Sequence, residues 1–378
     1  MPLPIPSEDA LGQSARLVDH VRTEIEASNG WLSFARYMEL ALYAPGLGYY
    51  SGGARKFGAA GDFVTAPELS PLFGRVLARQ FAEVLDQCGG EILELGAGTG
   101  TLAKQVLGEL SQLAKQVPYS ILEVSSELRQ RQQENLTQAG LIDQITWLDA
   151  LPNHFTGIIV GNEVLDALPV HLIHWTQAGP MERGVTWHED GFHFNDRRIS
   201  DAVLAERAQA YDLPPGYVSE INLAAPALAS ELGRRLASGM ILFIDYGFGR
   251  SEYYHSQRDM GTLRAHYRHQ ALDDPFHLPG LCDLTAHVDF TAIAEAGLDA
   301  GLKLLGYTNQ AHFLLNGGLA ERLAETPADE AAHYLPQAAA VHRLISPAEM
   351  GELFKVMGLG RGVTRPSGFA AGSLARLL

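Results

Sequence analysis

The chain has 378 residues, of which 46% are hydrophobic and 19% charged, a globular composition rather than a disordered or fibrous one, and long enough for two domains at roughly 150 residues each. Its 44 acidic against 28 basic residues leave a formal net charge of −16, which weighs against nucleic acid, a ligand whose affinity comes mostly from neutralised phosphates. The only cysteines, Cys88 and Cys282, stand outside any C-x-x-C pair, so a disulfide framework and a thiolate metal cage are excluded and a reducing compartment is expected.

In chain order, residues 1–6 lack the basic and apolar regions of a secretory signal, and no apolar run approaches the ~18 residues of a membrane span, so a cytoplasmic protein without membrane contact is expected. Ser7, with Glu8 and Asp9 behind it, marks a helix start. Leu11, Ala15, Val18, Val21 and Ile25 then recur at helical spacing up to an Asn29-Gly30 stop. A second helix is expected from Ser33, with Phe34, Tyr37, Met38, Ala41 and Leu42 on its apolar face, before the Gly- and Tyr-rich turn at 44–50. These two helices are read as an N-terminal cap. Within 61–68, Thr65 and Glu68 have capping-box spacing, and Ser70-Pro71 then opens a helix with a stripe of Leu72, Phe73, Val76, Leu77, Phe81 and Val84.

From about residue 90, short apolar runs alternate with helical stretches. Strands are expected at 92–95, 120–124, 145–148, 157–160 and 240–246, and helices near 100–114, 126–138 and 222–238, which predicts a mostly parallel sheet covered on both faces. Residues 171–198 read as short strands inserted at the sheet edge, and 247–285 as an aromatic and polar loop excursion. The C-terminal third reads as helices near 287–296, 310–324, 330–343 and 347–357. The expected organisation is a cap and cofactor-covering segment over 1–88, a Rossmann-like core over 89–308 with insertions at 171–220 and 247–285, and a C-terminal helical region over 309–378.

The strongest motif is Glu94-Leu-Gly-Ala-Gly-Thr-Gly100, a strand turning through glycines 96, 98 and 100 into a helix. A dinucleotide fingerprint would need glycine where Thr101 stands, and a P-loop would need a Gly-Lys-Ser/Thr run, so neither NAD nor ATP is favoured. A bare three-glycine turn with Glu94 beside it suits S-adenosyl-L-methionine, whose amino-acid portion is cationic. Glu123, near the end of the next strand, is placed to accept hydrogen bonds from ribose hydroxyls, and Asp149, after the third, to read adenine. All three acids fall on the carboxyl edge of the expected sheet. The fourth strand runs into Gly161-Asn-Glu-Val-Leu-Asp-Ala-Leu-Pro169, where an acceptor would lie. Glu163 and Asp166 are spaced to share one face of a helical turn and to hold a guanidinium by charge-assisted hydrogen bonds, although acids in a helix's first turn also serve the dipole alone. No metal is required.

These residues, with Gly46–Tyr50, Gly61–Glu68, Leu122–Ser125, Asn162–His171, Asp245–Gly247 and Asp283–Phe290, resemble the MidA-like S-adenosylmethionine-dependent methyltransferases, which include a mitochondrial complex I assembly factor that methylates arginine. The resemblance runs over nearly the whole chain. It implies a class I methyltransferase core with an N-terminal helical cap, the donor held at Gly96, Ala97, Gly98, Gly100, Glu123 and Asn162, and a protein arginine as acceptor. The absence of an Arg- and Ser-rich transit segment points to a bacterial member, for which the complex I substrate is not carried over. By the same resemblance Asp62 lines the donor pocket. Asp245 and Tyr246, at the end of the fifth strand, are read as acceptor-side residues, with a buried acid bonded to backbone as the alternative for Asp245. His287 and Asp289 either border the acceptor cleft or begin a helix, the latter preferred. His171, His174, His266 and His269 lack a metal-ligand pattern. Arg250, Arg258, Arg264 and Arg268, interleaved with Tyr253, Tyr254 and Tyr267, make the best case for an RNA methyltransferase, and a methyltransferase fold kept only as a binding module is the further alternative to an enzyme acting on a protein.

Overall fold

Parallel strands buried on both faces should read as unbroken apolar runs, and Met240 to Ile244 do: each is at most 1% exposed. In the computed structural model, which describes residues 3–52, 64–268, 270–327 and 329–378, this run lies at the centre of the longest strand. The chain divides into two compact units. One, the sheet unit, takes Val64–Leu165, Pro226–Gly249 and Phe290–Leu378; the other, the insertion unit, takes the described residues of Met1–Phe63, with Asp166–Ala225 and Arg250–Asp289. Both are assembled from separated stretches, so their bounds do not coincide with the three consecutive regions expected from the sequence.

The sheet unit contains β1 (Glu91–Leu95), β2 (Tyr119–Leu122), β3 (Ile145–Leu148), β4 (Phe155–Asn162), β5 (Leu236–Phe248), β6 (Lys303–Asn309) and β7 (Phe354–Arg361). Their order is β6-β7-β5-β4-β1-β2-β3. Strands β1 to β5 run parallel to one another, whereas β7 is antiparallel to both β5 and β6. The order reverses between β1 and β4, which makes the carboxyl end of β1 the topological switch point, the place where open α/β sheets bind ligands. Helices α1 (Pro71–Cys88), α2 (Thr101–Gln112) and α3 (Ser126–Gln138) belong to this unit. Ser70 caps α1 by accepting the Leu72 N–H at 3.2 Å, and the expected stripe of Phe73, Val76, Leu77, Phe81 and Val84 joins Ile92, Ile121, Val160 and Leu242 in one core.

Two C-terminal expectations are corrected. The helix expected at 347–357 is a single turn, Met350–Leu353, followed by β7, and β6 occupies a stretch for which no strand was expected. Both faces of β7 are buried, so it shows no alternation, and a short apolar run of that kind is ambiguous between strand and helix. Its glycines are placed by packing. A Cβ at Gly358 would lie 2.7 Å from the Phe369 ring, and one at Gly360 2.5 Å from Leu305 Cδ1.

In the insertion unit the helices Glu8–Ala27 and Phe34–Tyr43 begin at the expected caps, Ser7 and Ser33. Strands His171–Thr176, Gly179–His188 and Gly191–Arg198 form a meander that recruits Leu32–Ser33 and Val218–Ile221. Contrary to expectation, this is a sheet of its own and not an extension of the main one: Val218–Ile221 pairs with the edge strand His171–Thr176, and Leu32–Ser33 with the central strand Gly179–His188. The 247–285 excursion also holds a small sheet of Gln270–Leu272, Arg264–Tyr267 and Asp283–Thr285.

Candidate functional site

Between β1 and α2 the backbone takes positive φ at Gly96 (59°), Gly98 (53°) and Gly100 (81°), a region in which side chains are strained. The Gly96 N–H donates to Leu122 O at 3.0 Å and that of Gly100 to Ala97 O at 2.8 Å, so the turn is fixed to the end of β2 and to itself. Ala97, expected beside the ligand, turns its methyl into the core. The three glycines themselves add no side chains to the carboxyl end of β1.

Glu94, near the end of β1, is 3% exposed, and its Oε2 accepts the Tyr119 hydroxyl at 2.7 Å. Burial pushes its carboxyl up to about 7, with the Tyr119 bond opposing and the nearby Glu123 charge adding to the rise. A carboxyl raised this way stays protonated in the folded chain while the unfolded chain ionises. Its contribution to stability is therefore complete below the unfolded value of 4.5 and lost as pH climbs to about 7, by at most about 3 kcal/mol. Urea midpoints of the ligand-free protein should fall over that window, and Glu94→Gln should flatten the profile.

Glu123 lies one residue beyond β2. Its Oε1 accepts the Ser125 N–H at 2.9 Å and its Oε2 the Gln132 amide at 3.0 Å, while burial raises its pKa against both bonds. Each oxygen keeps acceptor capacity for a further donor. Two neighbours were missed from the sequence. Val124 is 79% exposed directly after Glu123, an apolar surface at the strand end. Gln132, one of several glutamines on a polar helix with nothing to distinguish it, is fully buried and bonds to the glycine turn as well as to Glu123. Asp149 follows β3, is largely exposed, and accepts from Arg129 at 2.6 Å.

The capping-box expectation is corrected. Thr65 precedes the short helix Ala66–Leu69 without a side-chain cap, and Glu68 accepts instead from the Thr99 and Thr101 hydroxyls, the latter at 2.9 Å. The carboxylate thereby ties this segment to the glycine turn, a tertiary contact that outcompetes the local one. Asp62 lies outside the described residues.

At the end of β4, Asn162 Nδ2 donates to Glu163 Oε1 at 3.1 Å, and Asn162 Oδ1 is buried without a hydrogen-bond partner among the described residues. Glu163 has φ +54° and donates its N–H to Ile244 O at 2.9 Å. The residues after it form bends and turns, so the helical turn expected to align Glu163 with Asp166 is absent. Its amides are engaged elsewhere: those of Val164 and Leu165 donate to Asp245 Oδ2 at 3.2 and 2.9 Å, and that of Tyr246 to Oδ1 at 2.9 Å. Asp245, read as an acceptor-side group, is thus 0% exposed and holds backbone, the alternative considered for it. Replacing it with Asn leaves one side-chain acceptor where three amides converge, and an unsatisfied buried amide costs about 1–3 kcal/mol, so Asp245→Asn should lower the denaturant midpoint accordingly. Tyr246 packs edge-on against Phe354, centroids 5.4 Å apart. Asp166 belongs to the insertion unit, is 6% exposed, and its carbonyl accepts the Ala286 N–H at 3.0 Å.

The basic and aromatic stretch of the insertion unit is engaged internally. Arg250 lies 3.6 Å from Asp289 and over the Tyr211 ring, Arg264 3.6 Å from Asp273, and Arg268 over Tyr267, while Arg258 donates to Glu252 O. His171 and His174 contact Glu182 and Asp196, and burial pushes His266 down to about 4; His269 lies outside the described residues. The His287 N–H donates to Thr262 Oγ1, and Asp289 directly precedes the helix Phe290–Asp299, as the helix-start reading has it. Among the described residues no cluster of three or more His, Cys, Asp or Glu could hold a metal, and no helix is long and apolar enough to cross a membrane.

Comparison with known proteins adds independent findings. A family model described as an S-adenosyl-L-methionine-dependent methyltransferase matches residues 76–308. The chain is 30% identical over 379 residues to protein arginine methyltransferase NDUFAF7, mitochondrial, of Danio rerio, covering 90% of this chain and 85% of that protein. It is 29% identical to the corresponding homolog of Caenorhabditis elegans, over 81% and 76% of the two chains. A crystal structure from Burkholderia thailandensis bound to S-adenosyl-homocysteine shares 51% of the sequence with a TM-score of 0.96 over 100% of both chains.

Proposed function

The chain belongs to this family of S-adenosyl-L-methionine-dependent methyltransferases, and from that premise we propose that it transfers the methyl group to an arginine nitrogen of a protein. The relatives named as protein arginine methyltransferases support this acceptor, since they align over most of their length. The observation that carries it is Glu163, a carboxylate held at the switch-point edge by a backbone conformation that costs about 1–2 kcal/mol for a side-chain-bearing residue.

The residues present fit the donor. A Cβ on Gly96 would crowd Val164 Cγ2 at 3.3 Å at a position where φ is already +59°, and the orphaned Asn162 Oδ1 awaits a donor such as an ammonium. In this reading the amides of 96–100 surround the amino-acid portion with Glu94 and Asn162 beside its charge. Glu123 accepts from the ribose hydroxyls, Val124 underlies the base, and Asp149 stands at its edge. Bound there, S-adenosylmethionine supplies a methyl activated by its sulfonium for in-line displacement. The protein's task is alignment, worth roughly 7–11 kcal/mol when complete. Glu163 accepts hydrogen bonds from the guanidinium, directs a nitrogen toward the methyl, and takes up the proton released as the new N–C bond forms. Asp245 acts indirectly, by holding the amides of 164 and 165.

Incubation with radiolabelled donor and a lysate of the protein's own organism should label a polypeptide, and acid hydrolysis should release methylarginine. Label confined to RNA or small molecules would overturn the acceptor assignment.

A further inference from the structure

Gln132 is fully buried, and every polar position of its amide is engaged. Its Nε2 donates to Gly98 O and to Glu123 Oε2, both at 3.0 Å, and its Oε1 accepts the Trp147 indole N–H at 2.9 Å. One side chain on α3 therefore joins the glycine turn after β1, the acid after β2 and the interior of β3. The indole nitrogen is a donor only, so it fixes which end of the amide faces it. The amino group must then face the two acceptors. A reversed amide would set one oxygen against the Gly98 carbonyl and the Glu123 carboxylate and one N–H against another N–H.

We propose that Gln132 is a positioning residue for the methyl donor, with Trp147 fixing the sense of its amide. By binding the Gly98 carbonyl it sets the plane of the Gly98–Thr99 peptide, and by binding Glu123 Oε2 it presents the remaining acceptor capacity of that carboxylate to the ribose. Since burial already raises the Glu123 pKa and the Gln132 bond opposes that rise, a lost amide donor also disfavours the ionised form, the better acceptor. The inference rests on the donor site described above.

The test measures S-adenosyl-homocysteine affinity by calorimetry, and KM for the donor and kcat, in Gln132→Glu, Gln132→Met and Trp147→Phe. Gln132→Glu puts a second carboxylate against Glu123 and should weaken binding by about 100-fold, with affinity partly regained on acidification toward pH 5 as the pair takes up a proton. Gln132→Met, which fills similar space, should lose about 10- to 30-fold, the effect of a lost hydrogen bond to a charged group. Trp147→Phe should lose roughly threefold to tenfold, within the net worth of one neutral hydrogen bond. In all three the rise in donor KM should exceed the fall in kcat. Unchanged affinity and KM in the Gln132 variants, even with lowered melting temperatures, would reduce Gln132 to a structural residue and overturn the inference. Failure of the unmodified protein to bind the ligand would instead overturn the donor site.

Discussion

Gly98→Val should reduce S-adenosyl-homocysteine binding below detection, at least about 100-fold, while the protein remains folded. Two effects combine. The backbone at 98 has φ +53°, which a β-branched residue resists, so the turn either opens or stores strain of about 1–2 kcal/mol. The added methyls also occupy the space through which main-chain amides would approach the ligand. Gly98→Ala separates the two, sharing the backbone strain with far less bulk, and should bind more weakly than the natural protein but measurably. Circular dichroism and a urea titration establish that the fold persists. Full binding by the valine variant would show that ligand does not approach this turn.

Glu163→Gly makes a sharper test because its two effects have opposite signs. Glycine adopts φ +54° freely, and relief of strain outweighs the extra freedom of the unfolded chain, so stability should rise by about 0.5–1 kcal/mol. Methyl transfer to protein should fall by about 10²–10⁴-fold, the span associated with one positioned acid or base. Glu163→Gln keeps the shape and an oxygen for Asn162 but not the charge. It should lose a similar factor in transfer while donor affinity stays within about threefold, because the carboxylate serves the acceptor. A more stable glycine variant that still methylates would leave the strain at 163 unexplained and remove the guanidinium assignment. The opposition between stability and activity follows from a residue kept in an unfavourable backbone conformation for its chemistry.

These two tests sit at opposite ends of what sequence reasoning reached. The glycine turn was legible because three glycines in five residues, after an apolar run and before a helical stripe, impose a local conformation that few other arrangements share. Helices with side-chain caps were legible for the same reason: Ser7, Ser33 and Ser70 each accept a backbone N–H two or three residues ahead. Asp245 was legible in position, and its hold on backbone only as the alternative to an acceptor-side role. Its three amide donors come from 164, 165 and 246, and two of them lie some eighty residues away in the chain. Gln132 left no trace in the sequence, since its partners lie on three different elements and any polar residue would suit a surface helix.

What the sequence by itself determined is therefore the local grammar: β–α alternation, caps, the glycine turn, and the acids at the carboxyl ends of β1, β2 and β3. What only the tertiary structure decided is how chain ends and loops were used. Strand β7 exists because neighbours bury both its faces and β6 because it pairs along the edge β7 offers, Glu68 leaves its own helix for the threonines of the glycine turn, and the stretch after Glu163 gives up a helical turn to the Asp245 carboxylate. The reason is physical. Short-range backbone preferences are worth tenths of a kcal/mol to about 1 kcal/mol per residue and can be read along the chain, whereas a buried carboxylate or a sheet edge can demand more than that from partners set only by the fold.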